Sequence, residues 1–151
     1  MRNGEGARSL STLDARPSSL SIQGYASLWG VADLNGDVVA RGAFAASLAR
    51  TGAAGVRMLH QHESRAAVGI WDRMLEDEHG LFVEGRIMDW SADGRFAQAL
   101  SRAGALDVLS IGFRSRRARR EGRLRVLVEV ELWEVSLVTF PMLPGARFRV
   151  A

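Results

Sequence analysis

Covalent catalysis in this chain would have to use an oxygen nucleophile. The 151 residues include no cysteine, and every basic residue other than histidine is arginine, so neither a thiol nor a lysine amine is available. Three histidines can serve as a base: His60, His62 and His79. His79 sits in the acidic turn Glu76-Asp77-Glu78-His79-Gly80 and reads as a solvated surface residue. His60 and His62 stand two apart in Met58-Leu59-His60-Gln61-His62-Glu63, a spacing that in a strand puts both rings on one face. That arrangement would suit a metal, but no third ligand accompanies it, and structural hydrogen bonding is the commoner use of such residues. Ser110 lies between apolar neighbours in Val108-Leu109-Ser110-Ile111-Gly112-Phe113. It reads either as a hydroxyl bonded to backbone or as a nucleophile, with Gly112 letting a substrate backbone come close. The segment is not the Gly-x-Ser-x-Gly elbow, because Val108 takes the place of the first glycine. Glu134 interrupts the apolar run Leu132-Trp133-Glu134-Val135-Ser136-Leu137-Val138. A carboxylate there is costly to bury without a partner, and an imidazole N–H would satisfy it.

The elements that position these residues read as mostly strands. Residues 1–19 are polar and form a lead-in, followed by one domain over residues 20–151. The pattern gives strand over Leu20 to Val31 and Val56 to Gln61, and again over Ala67 to Leu75 and Leu81 to Met88. It continues over Asp107 to Arg116 and Arg123 to Phe140. Asp33-Leu34-Asn35-Gly36-Asp37 is a turn; Val38 and Phe44 stand where a calcium loop needs Gly and Glu, which excludes that use. Helices are expected over Gly42 to Arg50 and Ser91 to Ala103. The second has Ser91 as N-cap, Phe96 and Leu100 as its buried stripe and Gly104 as its stop. Strands without strict βαβ alternation imply a mainly β, α+β fold, a mostly antiparallel barrel-like sheet with packed helices.

Composition narrows the function classes. The formal charge is +3, and the all-arginine usage reads first as genome composition. Nucleic acid is therefore an unlikely partner on charge alone. The arginine-rich run Arg114 to Arg125 reads as a solvated hairpin around Glu121-Gly122. Its sharper reading is a contact surface for an acidic partner, and a nucleic-acid-binding barrel is the remaining alternative. No apolar run approaches the roughly 18–20 residues of a membrane span. Nothing in the pattern requires a cofactor or metal.

Four stretches carry a family resemblance. They are Gly24-Tyr25-Ala26 with Asn35-Gly36-Asp37-Val38-Val39 and Gly42-Ala43-Phe44; Leu59-His60-Gln61-His62-Glu63 with Val68-Gly69; Leu109-Ser110-Ile111-Gly112-Phe113; and Leu132 to Pro141. In this order and spacing the chain resembles the prohead serine proteases of tailed phages, which share the fold of the herpesvirus maturation proteases. The resemblance implies Ser110 as nucleophile, His62 rather than His60 as base, and Glu134 as third member. It implies a major capsid protein and its scaffold segment as substrate, self-cleavage, and action inside a procapsid in the bacterial host cytoplasm. The source would be a phage, prophage or gene transfer agent. The chain departs from the family at Glu63, where Asp is common, and at Pro141-Met142-Leu143-Pro144, a loop expected to shape specificity. The oxyanion donors are expected near Gly112 or in the loop after Phe140. A catalytically silent capsid component with the same fold is the alternative, and it would hold Ser110 and His62 far apart.

Overall fold

The computed structural model describes residues 18–151. Among them, eight strands form one sheet: β1 (Ser19–Leu28), β2 (Asp37–Val39), β3 (Arg57–His60), β4 (Ala67–Glu76), β5 (Gly80–Met88), β6 (Val108–Glu121), β7 (Leu124–Val138) and β8 (Phe148–Val150). The helices are α1 (Ala45–Thr51) and α2 (Ala92–Arg102). The lead-in expected over residues 1–19 lies outside the described residues except for Ser18 and Ser19, and Ser19 opens β1.

β7 organises the sheet. Along one edge it pairs with β6 over its whole length, from Val108 opposite Val138 to Glu121 opposite Leu124. Its other edge is divided. β2 pairs with Arg125 to Leu127 and β3 with Glu134 to Leu137, both in parallel. The remaining ladders (β3–β4, β4–β5, β5–β1 and β1–β8) are antiparallel. The sheet curls until β8 meets the start of β6, where Leu109 N donates to Ala146 O and Phe148 N donates to Asp107 O, each at 2.9 Å. The expected barrel-like, mostly antiparallel sheet with two helices is therefore present.

Trp71, Phe44, Ile22, Met58, Leu109, Leu127 and Leu137 are fully buried at its centre. Trp71 also donates its indole N–H to Val135 O, so the largest core side chain is oriented as well as packed. α1 is tied to the sheet by Leu132 N donating to Ser47 Oγ. Glu76 accepts from Gly42 N and Phe44 N ahead of α1, satisfying donors that the helix start would leave open.

Several local expectations change in the fold. α1 begins at Ala45 because Gly42 to Phe44 are taken up in the turn that meets Glu76. β3 ends at His60, and Gln61 and His62 leave the strand with φ of 57° and 59°. α2 keeps its Ser91 cap, whose side chain accepts from Gly94 N at 3.0 Å. Its buried face, however, is Gly94, Ala97, Gln98 and Ser101; Phe96 is exposed and Leu100 only partly buried. Close approach is the cause. A Cβ at Gly94 would lie 2.1 Å from Met88 O, so only small residues fit, and Gln98 caps the Ile87 carbonyl from within the interface.

That packing makes opposite predictions for two α2 positions. Gly94→Ala should lower stability by about 1–3 kcal/mol despite its better helix propensity. Phe96→Ser should change stability by less than about 1 kcal/mol. Denaturant melts of the two variants check both values.

Candidate active site

The site forms where the β6–β7 ladder passes the end of β3. Ser110 pairs with Ser136 and Gly112 with Glu134, so the four residues share one face of the sheet. A bulge at Trp133, between the pairs Gly112–Glu134 and Phe113–Leu132, shifts the register just beyond Glu134. β3 runs alongside with Leu59 opposite Ser136 and His60 opposite Leu137. The chain then turns sharply, and the left-handed conformations of Gln61 and His62 carry the His62 ring over Glu134.

Two consecutive non-glycine residues in that conformation cost about 1–2 kcal/mol each. The turn is held by contacts to β7. Gln61 N donates to Leu137 O at 2.9 Å, and His62 N donates to Ser136 Oγ at 3.1 Å. The Gln61 side chain also clamps Thr139, accepting from Thr139 N at 3.1 Å.

This turn changes the expectation for the two histidines. They do not share a strand face. His60 is buried, with its ring edge-on to Phe96 and near Asp93. His62 faces Ser110 and Glu134, with Nε2 3.0 Å from Ser110 Oγ and Nδ1 against Glu134 Oε1. Ser110, His62 and Glu134 are thus brought together, and the wide separation expected of a silent relative is absent. An ionised carboxylate only accepts, so Nδ1 carries the proton and Nε2 is left free to accept from Ser110. The hydrogen bond to Glu134 raises the His62 pKa above its ordinary 6.5; partial burial opposes the rise, and the carboxylate charge adds to it. The Glu134 side chain is 13% exposed and that of His62 is 44% exposed, so the carboxylate is shielded while the imidazole remains reachable.

Two further residues complete the arrangement. Ser136, fully buried, donates from Oγ to Glu134 Oε2 at 2.6 Å while accepting from His62 N. It fixes both the carboxylate and the backbone of the histidine. Its signal in the sequence is the i, i+2 spacing to Glu134, which puts both on one strand face. Gly112 has a different reason from the one expected. A Cβ there would lie 2.1 Å from Glu134 Oε1, so the missing side chain makes room for the carboxylate rather than for a substrate backbone. Ser110 and His62 open onto a cleft of about 410 Å³, walled by Val31, Val39, Phe113 and Met142.

Comparison with known proteins fits this geometry. The sequence over residues 9–151 matches the family described as Caudovirus prohead serine protease. The chain belongs to that family. The prohead protease of Enterobacteria phage HK97 is 32% identical over 125 residues, covering 80% of this chain and 55% of that protein, so the chain spans about half the length of this relative. The bacteriophage T4 capsid assembly protease superposes with a TM-score of 0.66 at 14% identity, over 80% of this chain and 82% of that one. The varicella-zoster virus protease superposes with a TM-score of 0.56 at 16% identity, over 87% of this chain and 63% of that one. At these identities the two structures show a shared fold, the herpesvirus-protease-like barrel expected for this prohead protease family member.

An NMR titration of His62 tests the site's electrostatics. Its pKa should lie above 6.5 in the native chain. In Glu134→Gln it should fall toward about 6.5. In Ser136→Ala it should rise further, because a carboxylate with one donor fewer concentrates its charge on the imidazole.

Proposed function

We propose that this chain is a serine endopeptidase of capsid maturation, working through a Ser110–His62–Glu134 triad. The observation that carries this reading is the 3.0 Å approach of His62 Nε2 to Ser110 Oγ while Nδ1 rests on a shielded carboxylate. A serine hydroxyl is a weak nucleophile until a base removes its proton. Neutral His62 takes the Ser110 proton at Nε2 as Oγ attacks the scissile carbonyl. Glu134 holds the tautomer and stabilises the imidazolium. The imidazolium then returns its proton to the leaving amine, and water resolves the acyl ester through the same base. Each oxyanion needs backbone donors in reach. Both expected locations border Ser110: Ile111 and Phe113, which flank Gly112, line the cleft, as do Met142 and Leu143 of the loop after Phe140.

Family membership supports a capsid protein and its scaffold segment as substrate, within the procapsid. Self-cleavage by a protease domain at residues 20–151 belongs to the same reading.

Co-expression with the adjacent major capsid protein tests the proposal. The native chain should shorten the capsid protein; Ser110→Ala and His62→Ala should leave it intact. Glu134→Ala should retain weak cleavage, lowered by about 10³–10⁴-fold in kcat. Cleavage that survives Ser110→Ala rejects the triad. The pH profile gives a second reading. The base must be neutral, so kcat/KM should rise with pH through the raised His62 pKa, and Glu134→Gln should move that rise to lower pH.

A further inference from the structure

The far end of the β6–β7 hairpin holds cationic groups that the proposed chemistry does not use. Arg116, Arg119 and Arg125 pair with Glu131, Glu121 and Asp37 respectively. Arg120 and Arg123 pair with no acidic side chain among the described residues. Instead they line, with Arg125 and Asp37, a polar pocket of about 270 Å³. Arg120 stands directly opposite Arg125 in the ladder. Like charges at facing positions are destabilising, and the one carboxylate lining the pocket, Asp37, is engaged by Arg125 through two bonds of 2.8 Å. The pocket therefore carries an uncompensated positive field that an incoming carboxylate would relieve.

Two observations link this pocket to the cleft at Ser110. Asn35, Asp37 and Arg125 line both cavities, so the two are neighbours with shared walls. β6 is also an edge strand. Past its contact with β8 at Leu109 it pairs only with β7, leaving its outer edge from Ser110 to Glu121 open among the described residues. An open edge is a template for an added strand. From Ser110 to Arg120 is ten positions, roughly 30 Å of extended chain.

We propose that Arg120 and Arg123 form an exosite for carboxylate side chains of an extended acidic polypeptide, the substrate itself, lying along β6 with its scissile bond at Ser110. This rests on the endopeptidase reading for the position of the scissile bond. The acidic residues would lie about eight to ten positions from that bond. A place beside the cleft favours a polypeptide over a nucleic acid, and the stretch from Arg114 to Arg125 has no interleaved aromatics on which bases would stack.

The test uses the full chain carrying Ser110→Ala and a fluorescein-labelled glutamate-rich peptide of about twelve residues, followed by anisotropy. The peptide should bind, and Arg120→Ser with Arg123→Ser should weaken binding by about tenfold. Arg102→Ser, an equal charge change per site on α2, should have little effect, and a serine-glycine peptide should not bind. With Ser110 restored, the double arginine variant should raise KM for the capsid protein and leave kcat unchanged. Peptide binding that ignores the arginine substitutions overturns the proposal. So does a chain that binds duplex DNA through these arginines and not the peptide. Failure of the triad would appear separately, as capsid cleavage that does not depend on Ser110, while the anisotropy arm still reports on the exosite.

Discussion

A shielded carboxylate held against an imidazole is the contact on which the site's geometry depends. Burying Glu134 inside an apolar strand would be costly without partners, and here it has two donors, the His62 ring and the Ser136 hydroxyl. Space for it exists because position 112 lacks a side chain. The histidine pays part of the cost in backbone strain: Gln61 and His62 both adopt positive φ, stabilised by hydrogen bonds to Leu137 and Ser136. Removing any of these partners would leave an unpaired buried group or an unsupported turn, so the site behaves as one unit.

The sheet supplies the rigidity. Ser110, Glu134 and Ser136 come from two paired strands, and His62 from the end of a third strand hydrogen-bonded to β7. Sites built on strands hold their geometry better than sites built on loops. From Val108–Val138 to Gly112–Glu134 the ladder keeps regular register, and the bulge at Trp133 comes only beyond Glu134, with the Trp133 side chain exposed. The same β6–β7 pair that carries Ser110 and Glu134 runs on into the arginine hairpin, so the cleft and the charged pocket share a single rigid support.

Much of this was legible in the residue pattern. The β4–β5 hairpin, the Asp33–Asp37 turn and the Ser91 cap are decided by local chemistry, and each forms where alternation and turn residues place it. Three features were not legible, for physical reasons. The faces of His60 and His62 depend on a left-handed turn that no local propensity favours and that only contacts to β7 stabilise. The buried face of α2 is set by backbone distance to β5, which selects Gly94 and Ala97 over the bulkier Phe96. The parallel pairing of β2 and β3 with β7 joins segments distant in sequence, and strand patterning does not encode the partner. Ser110, His62 and Glu134 are grouped by family resemblance and not by local pattern. Residue type alone left two histidines and a structural role for Ser110 open.

In the proposed triad, His62 and Glu134 make one hydroxyl, that of Ser110, far more nucleophilic than any other in the chain. Treating the native protein with a fluorophosphonate and mapping the adduct by mass spectrometry measures this directly. The expected result is a single phosphonylated residue, Ser110, and no adduct in the His62→Ala variant. An adduct on another serine, or labelling of Ser110 that proceeds equally well without His62, would contradict it.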